Sequence, residues 1–220
     1  GGGGPGFAVH STLRSPALMQ SMAHLWQRYP TLRRAALAQG FLSVSFSAFW
    51  STLAVMLLDH YHLGSAVAGT FGIAGAAGAL AAPLAGGLAD KVGAARVTQL
   101  GALLVTIAFA LMFVMPLLST EAQLAVIALS AIGFDLGLQS SLVAHQNLVY
   151  SLEPKARGRL NALLFTVVFI GMAAGSAIGS KVYSMAGWPG VVALATLCGA
   201  IALAIRLSAG ATRPQVQTQP

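Results

Sequence analysis

Long apolar runs alternate with short polar stretches along this chain, and each run has the length of a bilayer crossing. A membrane-spanning helix needs about 20 mainly apolar residues. Six segments meet that requirement, at about Ala35–Leu58, Ser65–Ala89, Ala94–Pro116, Ala122–Asn147, Leu160–Met185 and Pro189–Leu207. The links between them are short, which makes sequence neighbours antiparallel neighbours in space. The pattern predicts an all-α membrane protein, a six-transmembrane-helix bundle over residues 33–208. Pro83 and Pro116 are expected to kink their helices. Residues 1–32 form a linker, either plain or carrying a short amphipathic segment with Met19, Met22, Leu25, Trp26 and Tyr29 among polar groups. Residues 209–220, rich in Gln and Pro, are expected to be a disordered tail.

Composition supports the membrane assignment. The chain is 56% hydrophobic and 8% charged, whereas a soluble domain carries about 25% charged residues. There are too few charges to cover a water-facing surface. A net charge of +7 would suit nucleic acid if it were concentrated, but the basic residues come in twos and threes at the ends of spans. No nucleic-acid partner is expected.

Those basic residues set the topology. Arg14, Arg28, Arg33 and Arg34 precede the first span, Lys91 and Arg96 link spans two and three, and Lys155, Arg157 and Arg159 link spans four and five. Arg206 and Arg213 come at the end of span six, and on the other side Lys181 stands alone beside Asp59, His60, His62 and Glu121. The excess of positive charge marks the cytoplasmic side, so both termini are expected there.

Little in the sequence speaks for catalysis. Cys198 is the single cysteine and lies in an apolar run. No His-Glu-x-x-His motif, serine nucleophile elbow or metal-ligand spacing is present. No cofactor, metal or enzymatic activity is expected.

The most specific motif runs from Gly86 to Arg96, as Gly86-Gly87-Leu88-Ala89-Asp90-Lys91-Val92-Gly93-Ala94-Ala95-Arg96. The glycines let backbones approach closely, and Asp90 can sit at the positive N-terminal end of a helix or pair with an arginine. A contact of that kind holds cytoplasmic helix ends together and breaks when they part. The run resembles the G-x-L-A-D-[RK]-x-G-[RK]-[RK] signature of the major facilitator superfamily, with Ala94 and Ala95 in place of the basic pair. In that family the loop occurs between helices two and three and again, in degenerate form, between helices eight and nine. A second series strengthens the resemblance: Asp135-x-Gly137-x-Gln139, His145-Gln146-Asn147, Glu153-Pro154-Lys155-x-Arg157-x-Arg159-x-Asn161, then Gly171, Gly175 and Gly179. It is similar to helices ten and eleven of bacterial drug:proton antiporters.

The resemblance implies half of a transporter fold, helices seven to twelve, in a bacterial inner membrane. It implies alternating access, a small-molecule solute and proton-coupled efflux. The other six helices would come from the same polypeptide or from a second copy. The opening Gly1-Gly2-Gly3-Gly4-Pro5-Gly6, without an initiator Met, favours the interior of a longer polypeptide. A non-transporting membrane receptor that kept the fold is the alternative.

Several residues carry two readings. Asp135, near the middle of span four, is either a substrate- or proton-carrying acid or one satisfied by interhelical hydrogen bonds, since a bare carboxylate there costs about 3 kcal/mol. Gln139 and Gln146 are placed on its helix face. His145 is either a titrating group or a capping residue facing the loop. Gln39, Ser43, Ser47 and Ser51 recur every four residues near Phe46, Phe49 and Trp50. That stripe either packs helices or, as helix seven would, lines the binding wall. Gly171, Gly175 and Gly179, like Gly69, Gly72, Gly75 and Gly78, mark close helix packing, and span five matches the Gly-rich face of antiporters. Arg157 and Arg159 either anchor to lipid headgroups or pair with Asp90 or Glu153 at a cytoplasmic gate, where Lys91, Gly93 and Arg96 would also lie and Asn161 could fasten the network.

Overall fold

The computed structural model describes residues 6–211. Residues 1–5 and 212–220, which include most of the expected tail, lie outside the described residues. Helix α1 spans Gly6–Arg28, α2 Pro30–Tyr61, α3 Ser65–Leu80, α4 Ala82–Val92, α5 Ala94–Ala110, α6 Thr120–Tyr150 and α7 Arg157–Ala211. A 3-10 helix, Leu111–Leu117, continues α5, and a 3-10 turn, Pro154–Ala156, leads into α7.

Each break has a local cause. Tyr29 is extended and hands over to Pro30, whose fixed φ suits a first helical position. His62 ends α2 in the left-handed region, and its backbone N–H reaches the Leu58 carbonyl at 3.2 Å. The run expected as span two divides at Ala81, with Pro83 in the first turn of α4. Gly93, at φ 89°, stops α4 where a side chain would be strained. Pro116 lies inside the tightened 3-10 segment that ends the third crossing. Ser119 caps α6 by accepting the Ala122 N–H, and Glu121 adds negative charge to its first turn.

The last two expected spans emerge as one helical run turned about Gly187, at φ 69° and ψ −162°, followed by Pro189. The limb 157–186 and the limb 188–211 are therefore separate crossings. With α2, the α3–α4 pair, the α5–3-10 pair and α6, they make a six-pass bundle. Five helical stretches among the described residues are long and apolar enough to cross a membrane, and the last contains both limbs.

Close contacts give the arrangement. A Cβ on Gly171, Gly175 or Gly179 would collide with Gly40, Val44 or Ala48 in turn, so the first limb of α7 runs parallel to α2. The second limb returns antiparallel: Trp188 packs on Phe49, and Ser45 donates to the Ala195 carbonyl at 2.7 Å. Gly199 faces Thr106 and Arg206 reaches Thr98, which sets the same limb antiparallel to α5. Helix α6 runs antiparallel to α5, with Gly133 against Ala108 and Gly101 against Ser141, and parallel to the α3–α4 pair: Gly78 lies against Ile132, and Gly86 and Asp90 further along share a cavity with Gln139 and Asn147. Lipid supplies no hydrophobic drive between helices, so such small-residue approaches and interhelical hydrogen bonds hold them together.

An aromatic cluster fills the middle. Phe109 stacks on Phe134 at 4.5 Å, and Phe49 meets Phe134 at 4.8 Å and Trp50 at 4.9 Å. A smaller apolar cluster, Leu25, Leu32, Ala35, Val149, Ala156 and Leu160, joins α1 to the basic end of the bundle.

Candidate functional site

Asp135 sits within α6 and is 6% exposed. Among the described residues it makes no hydrogen bond and no ion pair. Its carboxylate occupies space made by Gly75 of α3, where a side chain would strike Asp135 Oδ2 and the Trp50 ring. Phe46 is edge-on to Trp50 at 6.3 Å and to Phe134 at 6.1 Å. The Trp50 indole Nε1 is buried and has no partner among the described residues. The Asp135 carboxylate thus lies beside the edge of the Trp50 ring, next to an aromatic cluster. Gly75 is the member of this site that sequence reasoning missed, because its regular spacing reads as a packing stripe.

The other expected pathway residues are not gathered around Asp135. Gln139 lines a cavity of about 620 Å³ toward the basic end, together with Gly86, Asp90 and Asn147. Gln146 donates to the Tyr150 hydroxyl at 3.3 Å, and that hydroxyl bonds to Asn161 on α7. Ser43 is buried and returns its hydroxyl to the Gln39 carbonyl of its own helix at 2.8 Å. Ser47 donates to the Met172 carbonyl at 2.6 Å, across the seam where Gly175 lets α2 and α7 approach. Ser51 is exposed. The serine stripe therefore winds from core to seam to surface.

Two expectations need correction. His145 is neither a cap nor loop-facing: it is fully buried, with Nδ1 2.8 Å from Gln39 Oε1. Arg206 is no surface charge at the end of the last span, for it is 4% exposed and its Nε donates to Thr98 Oγ1 at 2.9 Å. Both were misplaced for one reason. Helices α2, α6 and α7 extend past the apolar runs, so residues near the run ends still lie inside the bundle.

The basic end is tied by polar contacts other than those expected. Tyr29 donates to Glu153 at 2.9 Å, and that bond holds the phenol above its ordinary titration range. Arg33 donates to the Trp26 and Gln27 carbonyls, and Arg159 bonds to Ser21 of α1. Asp90, Lys91, Arg96 and Arg157 are exposed. Asp90 forms no ion pair with Arg157 or Arg159, and Gly86 and Gly93 have open space beside them. At the opposite end, a cavity of about 470 Å³ is lined by Met56, His60, Met115, Gln123 and Trp188 among others, and nothing in the sequence pattern announced it. No three His, Cys, Asp or Glu side chains converge among the described residues.

The profile of the Major Facilitator Superfamily matches residues 18–219. This chain belongs to the major facilitator superfamily. It is similar to the "Probable transporter SCO4007" of Streptomyces coelicolor, 33% identical over 174 residues, which are 78% of this chain and 39% of that protein. It is also similar to the "Uncharacterized transporter YgaY" of Escherichia coli, 33% identical over 188 residues, which are 85% of this chain and 46% of that protein. The chain spans less than half the length of these relatives. In this superfamily member, the Gly86–Arg96 stretch forms the end of α4, the break at Gly93 and the start of α5. The major facilitator match covers all six passes and most of α1 whose side chains are described.

Proposed function

We propose that this chain is the C-terminal half, helices seven to twelve, of a secondary transporter that moves a small solute across a plasma membrane by alternating access. Asp135 carries the reading. A carboxylate in a span is costly unless paired, hydrated or protonated, and groups kept under that cost mark ion and substrate paths. Asp135 has no partner among the described residues, and it lies beside the Trp50 ring in an aromatic setting that suits an amphipathic or aromatic solute. Proton exchange at Asp135, driving efflux, is the coupling that such an acid supports.

Two further features favour a half. The matched relatives are more than twice as long as the aligned segment. Helix α3 buries only Phe71, Gly75 and Gly78, and the large apolar residues Ile73 on α3 and Phe169 and Ile170 on α7 are exposed. In superfamily folds the solute lies between two repeats, and these faces suit contact with a second six-helix bundle as well as lipid. The basic end of the helices supports cytoplasmic termini. The exposed Asp90, Lys91, Arg96 and Arg157 would then serve as gate groups whose partners lie on the other half.

The test uses the native polypeptide in proteoliposomes with an imposed proton gradient and ethidium as the probe, with sugar and amino-acid probes run in parallel. Gradient-driven flux of one probe is expected, with Asp135→Asn reducing it to the level of protein-free vesicles. Unchanged gradient-driven flux in Asp135→Asn sinks the proposed role of this acid.

A further inference from the structure

About 15 Å further along α6 from Asp135, at 1.5 Å per residue, lies a buried polar group of a different kind. His145 Nδ1 contacts Gln39 Oε1, and the amide is oriented from its other end, where Gln39 Nε2 donates to the Leu138 carbonyl at 3.4 Å. With the amide oxygen turned toward the ring, Nδ1 carries the proton and Nε2 presents a bare lone pair. Nε2 is buried and no described residue donates to it. Arg206 has the complementary lack. Its Nε is satisfied by Thr98, whose own hydroxyl donates to the Ala95 carbonyl at 2.6 Å, but its Nη1 is buried without an acceptor among the described residues.

The packing of α5 on α6 puts these two residues at the same level of the bundle. Gly133 meets Ala108, Gly137 meets Val105, and Gly101 meets Ser141. One more turn in this antiparallel register puts His145 across from Thr98, where Arg206 is held. The imidazole also lies within electrostatic reach of the Arg206 guanidinium.

We propose that a single buried water bridges His145 Nε2 and Arg206 Nη1, closing a hydrogen-bonded clasp through α2, α6, α5 and the second limb of α7. Water fits because it donates to the imidazole and accepts from the guanidinium at once. An anion would satisfy Arg206 but meet the lone pair of Nε2. Buried waters typically make about three hydrogen bonds, and the Ser141 hydroxyl, one turn before His145 and also buried without a partner, supplies a third. Gln99 adds a strut, donating to the Arg206 carbonyl at 3.3 Å. The clasp joins α2 and α6, which flank Asp135, to α5 and the second limb behind them, so these crossings move as one body.

A cryo-EM or crystal structure of the native polypeptide that resolves waters tests this. Expected is one water within about 3.2 Å of both Nε2 and Nη1. A bromide signal at that place, a direct His145–Arg206 contact or a dry gap would overturn the proposal, and this readout requires no variant to fold. In detergent, His145→Leu is expected to lower the unfolding temperature by about 5 °C, because it leaves buried donors and acceptors unpaired. His145→Gln offers a donor to Gln39 and an acceptor toward the bridge, and recovers most of that loss. His145→Leu with Arg206→Met costs less than the sum of the two singles. Strictly additive losses, or no rescue by Gln, count against the clasp.

Discussion

Asp135 and His145 lie ten residues apart on one helix, both buried in a segment that crosses the membrane. They differ in how they are wired. Asp135 has no partner among the described residues and sits against α3, which buries only Phe71, Gly75 and Gly78. His145 is bonded to Gln39, and the guanidinium near it is anchored on Thr98. Burial alone does not separate a working polar group from a structural one. A group whose bonds are all internal contributes to holding helices in place. A group left open beside aromatic faces is free to take a transient partner.

The contrast breaks most sharply if the two sites are removed separately. Asp135→Asn is expected to abolish gradient-driven flux while leaving the unfolding temperature within about 2 °C of the parent, because no native bond is lost. His145→Leu should do the reverse, costing thermal stability first. If Asp135→Asn destabilises the purified protein as much as His145→Leu does, the distinction between the sites is wrong.

Gly75→Val comes next in size. It places methyl groups where Asp135 Oδ2 and Trp50 now lie. Because α3 is packed on one side only, it can shift outward, so flux assays should show a severe loss while the protein still elutes as a folded species. Ser47→Ala removes the bond to the Met172 carbonyl, and interhelical hydrogen bonds of this type average about 0.6 kcal/mol. A denaturation midpoint shifted slightly, with flux retained, is the expected result, and a large flux loss would move Ser47 from the seam into the transport path. Tyr29→Phe is the smallest. Its bond to Glu153 is at the solvent-facing edge, and chemical denaturation should detect almost no change.

The bundle was legible because lipid imposes length and apolarity on every crossing. The breaks at Pro83 and Gly187 could be anticipated, since proline and glycine act on the backbone where they stand. Asp135 stood out because a carboxylate is rare in such a run. The clasp was not legible. Gln39 and His145 are 106 positions apart in sequence, and nothing local to either names the other. Arg206 looked like a loop charge because positive residues at run ends usually are. Gly75 was visible as one of a series, but its particular role depends on which side chain of α6 points at it, and that is settled by register between helices.

The seam between α2 and the first limb of α7 has a consequence of its own. Gly171, Gly175 and Gly179 meet Gly40, Val44 and Ala48, so both helices are graduated at the same four-residue interval. On an α-helix that interval is about 6 Å. Two rulers with equal graduations mesh only at whole divisions. A slide of half a division would set side chains against backbone. The seam is thus keyed along its length as well as across it, and its fit depends on axial position as much as on distance.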